Sequence, residues 1–248
     1  MDQRIAGTAA GGLAVTVNPG VVWRMGYRPQ PWAWTPWQYV GDTGRFTGRW
    51  DDPLGSFRTL YAGRDLLSCL LEVLAGFRPD PLLTEDLSGI VEDPADAQGY
   101  PTQPSGTVPL SWLTPRQASS ATLSGIFCAV TDQESLPTLR DAFLSTALRY
   151  GLADLDAGAL RLSAPRALTQ RIAAWLYDLH DGAGDLIDGV QFESRHGDGL
   201  TPWAIFERGA DPEVSLQLSR IRAVPLPPDH RDLAEAFRLH HLAWATTE

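Results

Sequence analysis

Apolar residues recur at helical spacing in several segments, most clearly in residues 64–77, where Leu66, Leu70 and Leu74 fall on one face. Short alternating or continuous apolar runs, which are typical of strands, lie between these segments. The pattern predicts helices at 64–77, 136–150, 163–177 and 229–244, and strands at 13–17, 56–61, 123–130, 190–193, 203–207 and 214–221. Because helices and strands interleave without a composition break, we expect a single α/β (α+β) domain over residues 1–248.

Two segments interrupt this pattern. Residues 78–108 are rich in Pro, Asp and Gly, which predicts a surface excursion. Residues 29–40 contain three tryptophans and three prolines, and the prolines exclude a regular helix. This Trp-rich segment is either a packed loop that covers the core or an aromatic wall for a flat ligand.

The charge composition excludes several classes of function. All 20 basic residues are arginines, and the formal net charge is −10. Without lysine, the chain can form no Schiff base and cannot be a pyridoxal phosphate enzyme or a P-loop NTPase that needs its lysine. The acidic balance disfavours nucleic acid as a partner, because such binding draws on many basic side chains.

The two cysteines, Cys69 and Cys128, lie within apolar runs. Their positions indicate buried free thiols, and the spacing suits neither a disulfide nor a zinc site. The first residues lack an apolar signal-peptide core, and no apolar run approaches the roughly 18 residues of a membrane span. We therefore expect a cytoplasmic protein without a membrane partner.

Glu72 is a candidate for chemistry within the first long helix. It lies opposite the leucine stripe, with Ser68 one turn before it and no other charge in the rest of the helix. The carboxylate is either a solvated surface group or, if it faces a cleft, a group that stabilises positive charge on a sugar.

The early loops carry a second set of candidates. Their arginines either form surface ion pairs with nearby aspartates or, beside the glycines, bind a pyrophosphate as planar forks. These side chains are Arg24, Arg28, Arg45 and Arg49.

Residues 188–199 place polar side chains after a predicted strand and between glycines. Ser194 and His196 suggest a hydrolase, but no G-x-S-x-G motif is present. His196, Asp198 and Glu193 follow no standard metal-ligand spacing. Neither chemistry is therefore favoured.

These pieces occur in an order that resembles the RES-domain family, named for its Arg, Glu and Ser. The matching stretches are VWRM (22–25), GRW (48–50), LYAG (60–63), LLEVL (70–74) and DGVQFESRHG (188–197). The resemblance runs from about residue 20 to about residue 208. It implies a fold like that of ADP-ribosyltransferase toxins, with a mixed curved sheet, flanking helices and a cleft for NAD.

The resemblance also implies an activity and a set of site residues. The family degrades NAD, typically as the toxin of a bacterial toxin–antitoxin pair, so a cognate antitoxin is an expected partner. Its Arg, Tyr, Glu and Ser fall on Arg24, Tyr61, Glu72 and Ser194, and Arg49 is a second cation. Arg24 and Arg49, with Arg195 beside Ser194, would bind the pyrophosphate.

The implied reaction breaks the nicotinamide–ribose bond without a metal. Tyr61 would stack on nicotinamide or bond the ribose. Glu72 would bind the ribose hydroxyls and stabilise the cationic sugar, and Ser194 would position Glu72 or the nicotinamide ribose by hydrogen bonding. Water, phosphate or a macromolecule would accept the ADP-ribose, so a glycohydrolase, a phosphorylase and an ADP-ribosyltransferase all stay open. A non-enzymatic RES-like interaction protein is the competing class.

The sequence departs from the family pattern at two points. Asp51 stands where members usually have Asn after Arg-Trp, and an acid there would weaken anion binding unless it points away. Glu72 and Ser194 are also 122 residues apart. We assign the extra length to an insertion within about 78–150, which could shield the cleft or occupy the antitoxin surface. The Trp-rich segment and the tail helix 229–244 are possible oligomer contacts.

Overall fold

A computed structural model describes residues 11–80, residue 82 and residues 104–245. In this part of the chain a curled eight-stranded sheet is flanked by five helices, which confirms the mixed α+β class. The strands are β1 Val15–Val17, β2 Gly20–Tyr27, β3 Thr59–Gly63, β4 Thr107–Val108, β5 Arg116–Leu123, β6 Ile126–Ala129, β7 His180–Asp181, β8 Gly184–Asp185, β9 Gly189–Gln191, β10 Pro202–Phe206, β11 Leu218–Val224 and β12 Ala243–Trp244. The helices are α1 Leu66–Leu74, α2 Ser135–Arg149, α3 Ala157–Arg161, α4 Arg166–Tyr177 and α5 Arg231–His240.

The main sheet has the order β1-β6-β9-β10-β3-β2-β5-β11. β6 and β9 are parallel, and the other neighbours pair antiparallel. β2 pairs with β5 along its whole length, but it meets β3 at the single pair Trp23 and Gly63. The sheet is therefore nearly open between β2 and β3.

Helix α1 lies against this opening. Asp65 begins the helix, because its carboxylate Oδ1 accepts from the Ser68 backbone N–H at 2.7 Å. Leu70 and Leu74 are fully buried and pack with α5, as the leucine stripe predicts. Gly63 allows the close approach of strand and helix, since a Cβ there would lie 2.8 Å from Cys69 Sγ.

The Trp-rich segment 29–40 is mainly a packed loop. Trp32 and Trp34 are buried in the core between the loop and the sheet, and Trp32 Nε1 donates to Ser119 Oγ at 2.9 Å. Trp37 and Tyr39 are exposed. Of the two alternatives for this segment, the buried tryptophans support the loop that covers the core.

Several predicted boundaries were wrong. The predicted strand 123–130 is two strands separated by a turn, in which Gly125 has a φ of +111°. The predicted strand 214–221 is shifted to 218–224, and Leu216 is 65% exposed. The tail helix ends at His240, because His241 adopts a left-handed conformation and β12 follows.

Strands β2 and β5 were not predicted at all, although they form the longest pairing in the sheet. β5 and β6 lie inside the range 78–150 that was predicted to contain an insertion, so that range also supplies strands to the main sheet. Residues 81 and 83–103 of the predicted surface excursion lie outside the described residues.

Candidate active site

A cavity of about 330 Å³ opens where β2, β3 and α1 meet. Arg24, Tyr61 and Glu72 line it, although they come from three different elements. Most of the remaining wall is apolar: Met25, Ala62, Val73, Phe192, Leu200 and Pro202. The pocket therefore combines an apolar interior with a few charged side chains, as small-molecule sites do.

Glu72 and Ser194 are in direct contact. Ser194 Oγ donates to Glu72 Oε1 at 2.5 Å and accepts from the His196 backbone N–H at 2.9 Å. Ser194 is only 2% exposed, whereas the Glu72 side chain is 39% exposed. A buried hydroxyl thus holds a carboxylate that still reaches solvent.

Two histidines border Glu72 on its other side. His196 Nε2 lies 3.9 Å from Glu72 Oε2, and its ring meets the His240 ring edge-on at 5.9 Å. His240 is buried, with Nε2 2.8 Å from the Leu71 carbonyl oxygen. Burial lowers the pKa of His196, and the neighbouring Glu72 partly offsets this effect.

The Tyr61 hydroxyl forms hydrogen bonds with other groups of the protein. The hydroxyl donates to Asp51 Oδ1 at 2.9 Å and accepts from the Trp50 backbone N–H at 2.9 Å. Burial, reinforced by Asp51, raises the pKa of Tyr61 well above its usual value. Because the hydroxyl has a donor and an acceptor already, the ring is the part of Tyr61 available to a ligand.

Asp51 points into the protein and braces the loop at 48–50. It is 7% exposed, and its Oδ2 accepts from the Gly48 backbone N–H at 2.5 Å. Burial raises the pKa of Asp51, partly offset by this hydrogen bond and by Tyr61. The acid that replaces the usual Asn of the family is therefore directed away from solvent.

Arg24 is held by the main chain. Its Nε donates to the Pro31 carbonyl at 2.8 Å, and its Nη1 donates to the Tyr61 carbonyl at 2.7 Å. Burial lowers the pKa of Arg24 to about 10. This side chain bridges β2 and β3 beside the point where their pairing stops. Its Nε and Nη1 are used there and are not open to a phosphate.

The Arg49 guanidinium lies over the Phe192 ring, with its central carbon 5.6 Å from the ring centroid. Its Nη2 donates to the Arg161 carbonyl at 3.2 Å. Burial lowers the pKa of Arg49, while the nearby Glu72 raises it. In the described residues no ion pair within 4 Å is recorded for Arg49 or for the exposed Arg195.

The geometry gives no support to a Ser/His pair. The Ser194 hydroxyl donates to Glu72, and its contact with His196 is to the backbone nitrogen rather than to the ring. Within the described ranges, no three His, Cys, Asp or Glu side chains form a group that could hold a metal ion.

Comparison with protein families matches residues 21–229 to the RES domain. The chain belongs to the RES-domain family. This confirms the resemblance found in the motifs, and the matched range extends beyond residue 208 to include β11. In this RES domain, Arg24, Tyr61 and Glu72 line one cavity, and Ser194 bonds to Glu72. Arg49 lies over the ring of Phe192, which also lines the cavity.

Other comparisons add less. A chain in the crystal structure of the M. tuberculosis MbcT–MbcA toxin-antitoxin complex is 15% identical, with 92% of both chains covered and a TM-score of 0.45. Among curated proteins, none matches this chain. None of the helices in the described part is long and apolar enough to cross a membrane.

The sequence did not single out His240 or Phe192 for the site. His240 follows Leu233, Ala236 and Phe237 at helical spacing on the buried face of α5, which is the signal that would have placed it inward. Phe192 lies two residues before Ser194 on the same extended segment, so its side chain faces the same side.

Proposed function

We propose that this RES-domain protein binds NAD and cleaves its nicotinamide–ribose bond, releasing nicotinamide and transferring the ADP-ribosyl group to water or phosphate. The observation that carries the proposal is the contact between Ser194 and Glu72 at the mouth of the cavity. A carboxylate fixed by a buried hydroxyl, yet accessible to solvent, suits the stabilisation of positive charge on a bound sugar.

The apolar interior fits the nicotinamide end of the substrate. The Tyr61 ring and Phe192 both line the cavity, and aromatic faces stack on planar heterocycles. Because the Tyr61 hydroxyl is already bonded to Asp51 and Trp50, stacking is the role that we assign to Tyr61 in preference to a ribose hydrogen bond. Once nicotinamide departs, Glu72 lies beside the developing oxocarbenium ion.

The pyrophosphate requires cations on the solvent side. Glu72 and Arg195 both lie close enough to Arg49 to shift its pKa, Glu72 upward and Arg195 downward. Within the described residues, neither Arg49 nor Arg195 forms an ion pair with a carboxylate. We assign pyrophosphate binding to these two guanidinium groups. Arg24 contributes positive charge from the wall, because its Nε and Nη1 are used on carbonyl oxygens.

Membership of the RES-domain family supports a biological role for this chain. We propose that the protein acts in the cytoplasm as the toxin of a toxin–antitoxin pair, with NAD depletion as its toxic effect and a protein antitoxin as its partner. Loss of NAD would stop growth in any cell that produces the active chain without that partner.

The test is an NAD-consumption assay on purified wild-type protein and on Glu72→Gln. We expect nicotinamide release by the wild type and a fall of about 10²–10³-fold in kcat for Glu72→Gln, the size of one lost electrostatic contact. Glu213→Gln is the matched control, because Glu213 is exposed and has no recorded side-chain contact with the site. It should keep full activity.

Three outcomes would contradict the proposal. NAD that stays intact at high protein concentration would favour a non-enzymatic interaction protein. An ADP-ribose adduct on a macromolecule would favour transferase chemistry. Equal activity in wild type and Glu72→Gln would remove Glu72 from the mechanism, provided that both proteins unfold at the same denaturant concentration.

A further inference from the structure

A second cavity, of about 810 Å³, lies on the opposite face of the sheet from the candidate active site. Along the segments at β9 and β10, neighbouring residues alternate between the two cavities. Phe192 and Pro202 line the active-site cavity. Gln191, Thr201 and Trp203 line the second cavity. The second cavity is therefore separate from the proposed NAD site.

One wall of this second cavity is the free edge of β1. Every residue from 14 to 19 lines the cavity, so the backbone of the strand borders it, and not only one of the two strand faces. Among the described residues, β1 pairs only with β6, on its other side. Val21 on β2 and Arg64 after β3 also line the cavity. The edge of β1 thus faces open space instead of a neighbouring strand.

The register of β1 shows which of its backbone groups point to this space. The Ala14 carbonyl accepts a backbone N–H from the end of β6 at 2.9 Å, and the Asn18 N–H donates to the Gly125 carbonyl at 2.8 Å. Residues along an antiparallel strand alternate between bonding to the partner strand and pointing away from it. Val15 and Val17 therefore direct their N–H and C=O groups to the free edge, which offers two donors and two acceptors.

The two edges of the main sheet differ in their protection against an added strand. At the other edge, β11 carries Arg222 and a bulge at which Arg220 has a φ of +50°. Charges and bulges of this kind hinder pairing with another chain. β1, Val15–Val17, contains no charge, proline or bulge. Its edge is therefore suited to pairing with an added extended segment.

The charges beside the cavity indicate which side chain such a segment carries. Three carboxylates lie in or near the lining, and each accepts a hydrogen bond within the chain: Asp65, Asp132 and Glu193. Arg64 is exposed, and among the described residues no hydrogen bond or ion pair is recorded for its guanidinium. Because the carboxylates repel a further acid elsewhere in the cavity, an acidic side chain fits only at Arg64.

We infer that an extended segment of a partner protein pairs with the free edge of β1 and places an acidic side chain at Arg64. Backbone hydrogen bonds to Val15 and Val17 hold the segment, and its inward side chains contact Gln191 and Trp203. The inference does not depend on NAD cleavage, since the two cavities lie on opposite faces of the sheet.

The probe is a phage-displayed library of random seven-residue peptides, selected on the full-length protein. We expect the enriched peptides to contain Asp or Glu and to lack proline. Synthetic copies of them should bind Arg64→Gln about tenfold more weakly than the wild type. Arg220→Gln is the matched control, because Arg220 is exposed on β11 at the other edge of the sheet.

Val21→Trp tests the same cavity without changing a charge. Val21 is 62% exposed, so a larger side chain there narrows the cavity without disturbing the core. We expect the selected peptides to bind this variant at least about tenfold more weakly, while its denaturant midpoint stays that of the wild type.

Methylation of backbone nitrogens in a selected peptide tests strand pairing itself. The nitrogens of alternate residues form two sets, and only one set faces β1 in a paired strand. Methylating that set should abolish binding, whereas methylating the other set should weaken it little.

The inference is overturned if no peptide is enriched on the wild type relative to Val21→Trp, if both methylated sets bind alike, or if Arg64→Gln binds like the wild type. It is also overturned if the protein forms a dimer that Val21→Trp dissociates, since a second copy of the chain would then occupy the edge. Failure of the proposed function is distinct, because NAD that stays intact would contradict only the proposed cleavage.

Discussion

The polar groups on one side of the cavity form hydrogen bonds within the protein, whereas those on the other side face solvent. On one side, which we call the closed wall, Arg24, Trp50, Asp51 and Tyr61 bond to one another or to the backbone. On the other side, which we call the open rim, Glu72 and the arginines Arg49, Arg78 and Arg195 reach solvent. The closed wall fixes the shape of the site, and the open rim leaves charges available to a ligand.

This difference separates stability from reactivity within one site. A group that is bonded internally contributes to folding and loses freedom to bind a ligand, whereas an exposed charge contributes little to folding. Substitutions in the closed wall should therefore change the free energy of unfolding, and substitutions in the open rim should change turnover.

The largest effect is expected for Trp50→Ala in the closed wall. The Trp50 side chain is fully buried and its ring lies 5.5 Å from Phe192, so truncation leaves a large cavity under the site. We expect the free energy of unfolding to fall by about 3–5 kcal/mol, measured by denaturant titration.

Trp37→Ala is the control for Trp50→Ala, since Trp37 is 37% exposed and should tolerate truncation far better. Equal losses in both variants would show that the closed wall has no special part in stability.

An intermediate effect is expected for Ser194→Ala, which lies where the two sides meet. The change removes the hydrogen bond to Glu72 and leaves the His196 backbone N–H without its partner. We expect kcat for NAD cleavage to fall about tenfold with KM little changed, and the free energy of unfolding to fall by about 1 kcal/mol.

Ser194→Thr keeps the hydroxyl and should restore much of the turnover. Ser219→Ala, on the exposed strand β11, should change neither quantity. A loss of stability in Ser194→Ala without a loss of turnover would show that Ser194 contributes to folding and not to NAD cleavage.

The smallest effect is a pH dependence of stability from Asp51. Burial raises its folded-state pKa above 3.8, so the folded chain keeps a proton that the unfolded chain has lost between the two pKa values. This contribution to stability is present at low pH and is lost as pH rises through the folded-state pKa.

Asp51→Asn removes the titration, so the difference in free energy of unfolding between the two proteins should change as the pH rises from 3.8 through the raised folded-state pKa of Asp51. Denaturant midpoints measured across that range test the expectation. A constant difference would mean that the folded state does not perturb Asp51.

The sequence predicted the parts of the molecule in which a pattern is local. The leucine stripe located α1, and the motif order placed Glu72 and Ser194 in one site although 122 residues separate them. Strand β5 was missed because it contains Ala118, Ser119 and Ala121 instead of large apolar residues, and these small side chains are buried by neighbouring elements.

Local patterns also could not predict the hydrogen-bond partners of the polar groups at the site. That Arg24 bonds to carbonyls, and that Asp51 turns inward to Tyr61, depends on the opening between β2 and β3, which is a property of the assembled sheet. The same holds for Arg78, whose position beside Arg195 joins segments more than a hundred residues apart.

The two buried cysteines have a practical consequence. Burial raises the pKa of both Cys69 and Cys128 to about 12, and the thiolate is the form that reacts with alkylating reagents. We therefore expect both thiols to react slowly with maleimide dyes in the folded protein. A single cysteine placed at the exposed Val73, on the edge of the cavity, would carry a fluorophore that reports when the site is filled.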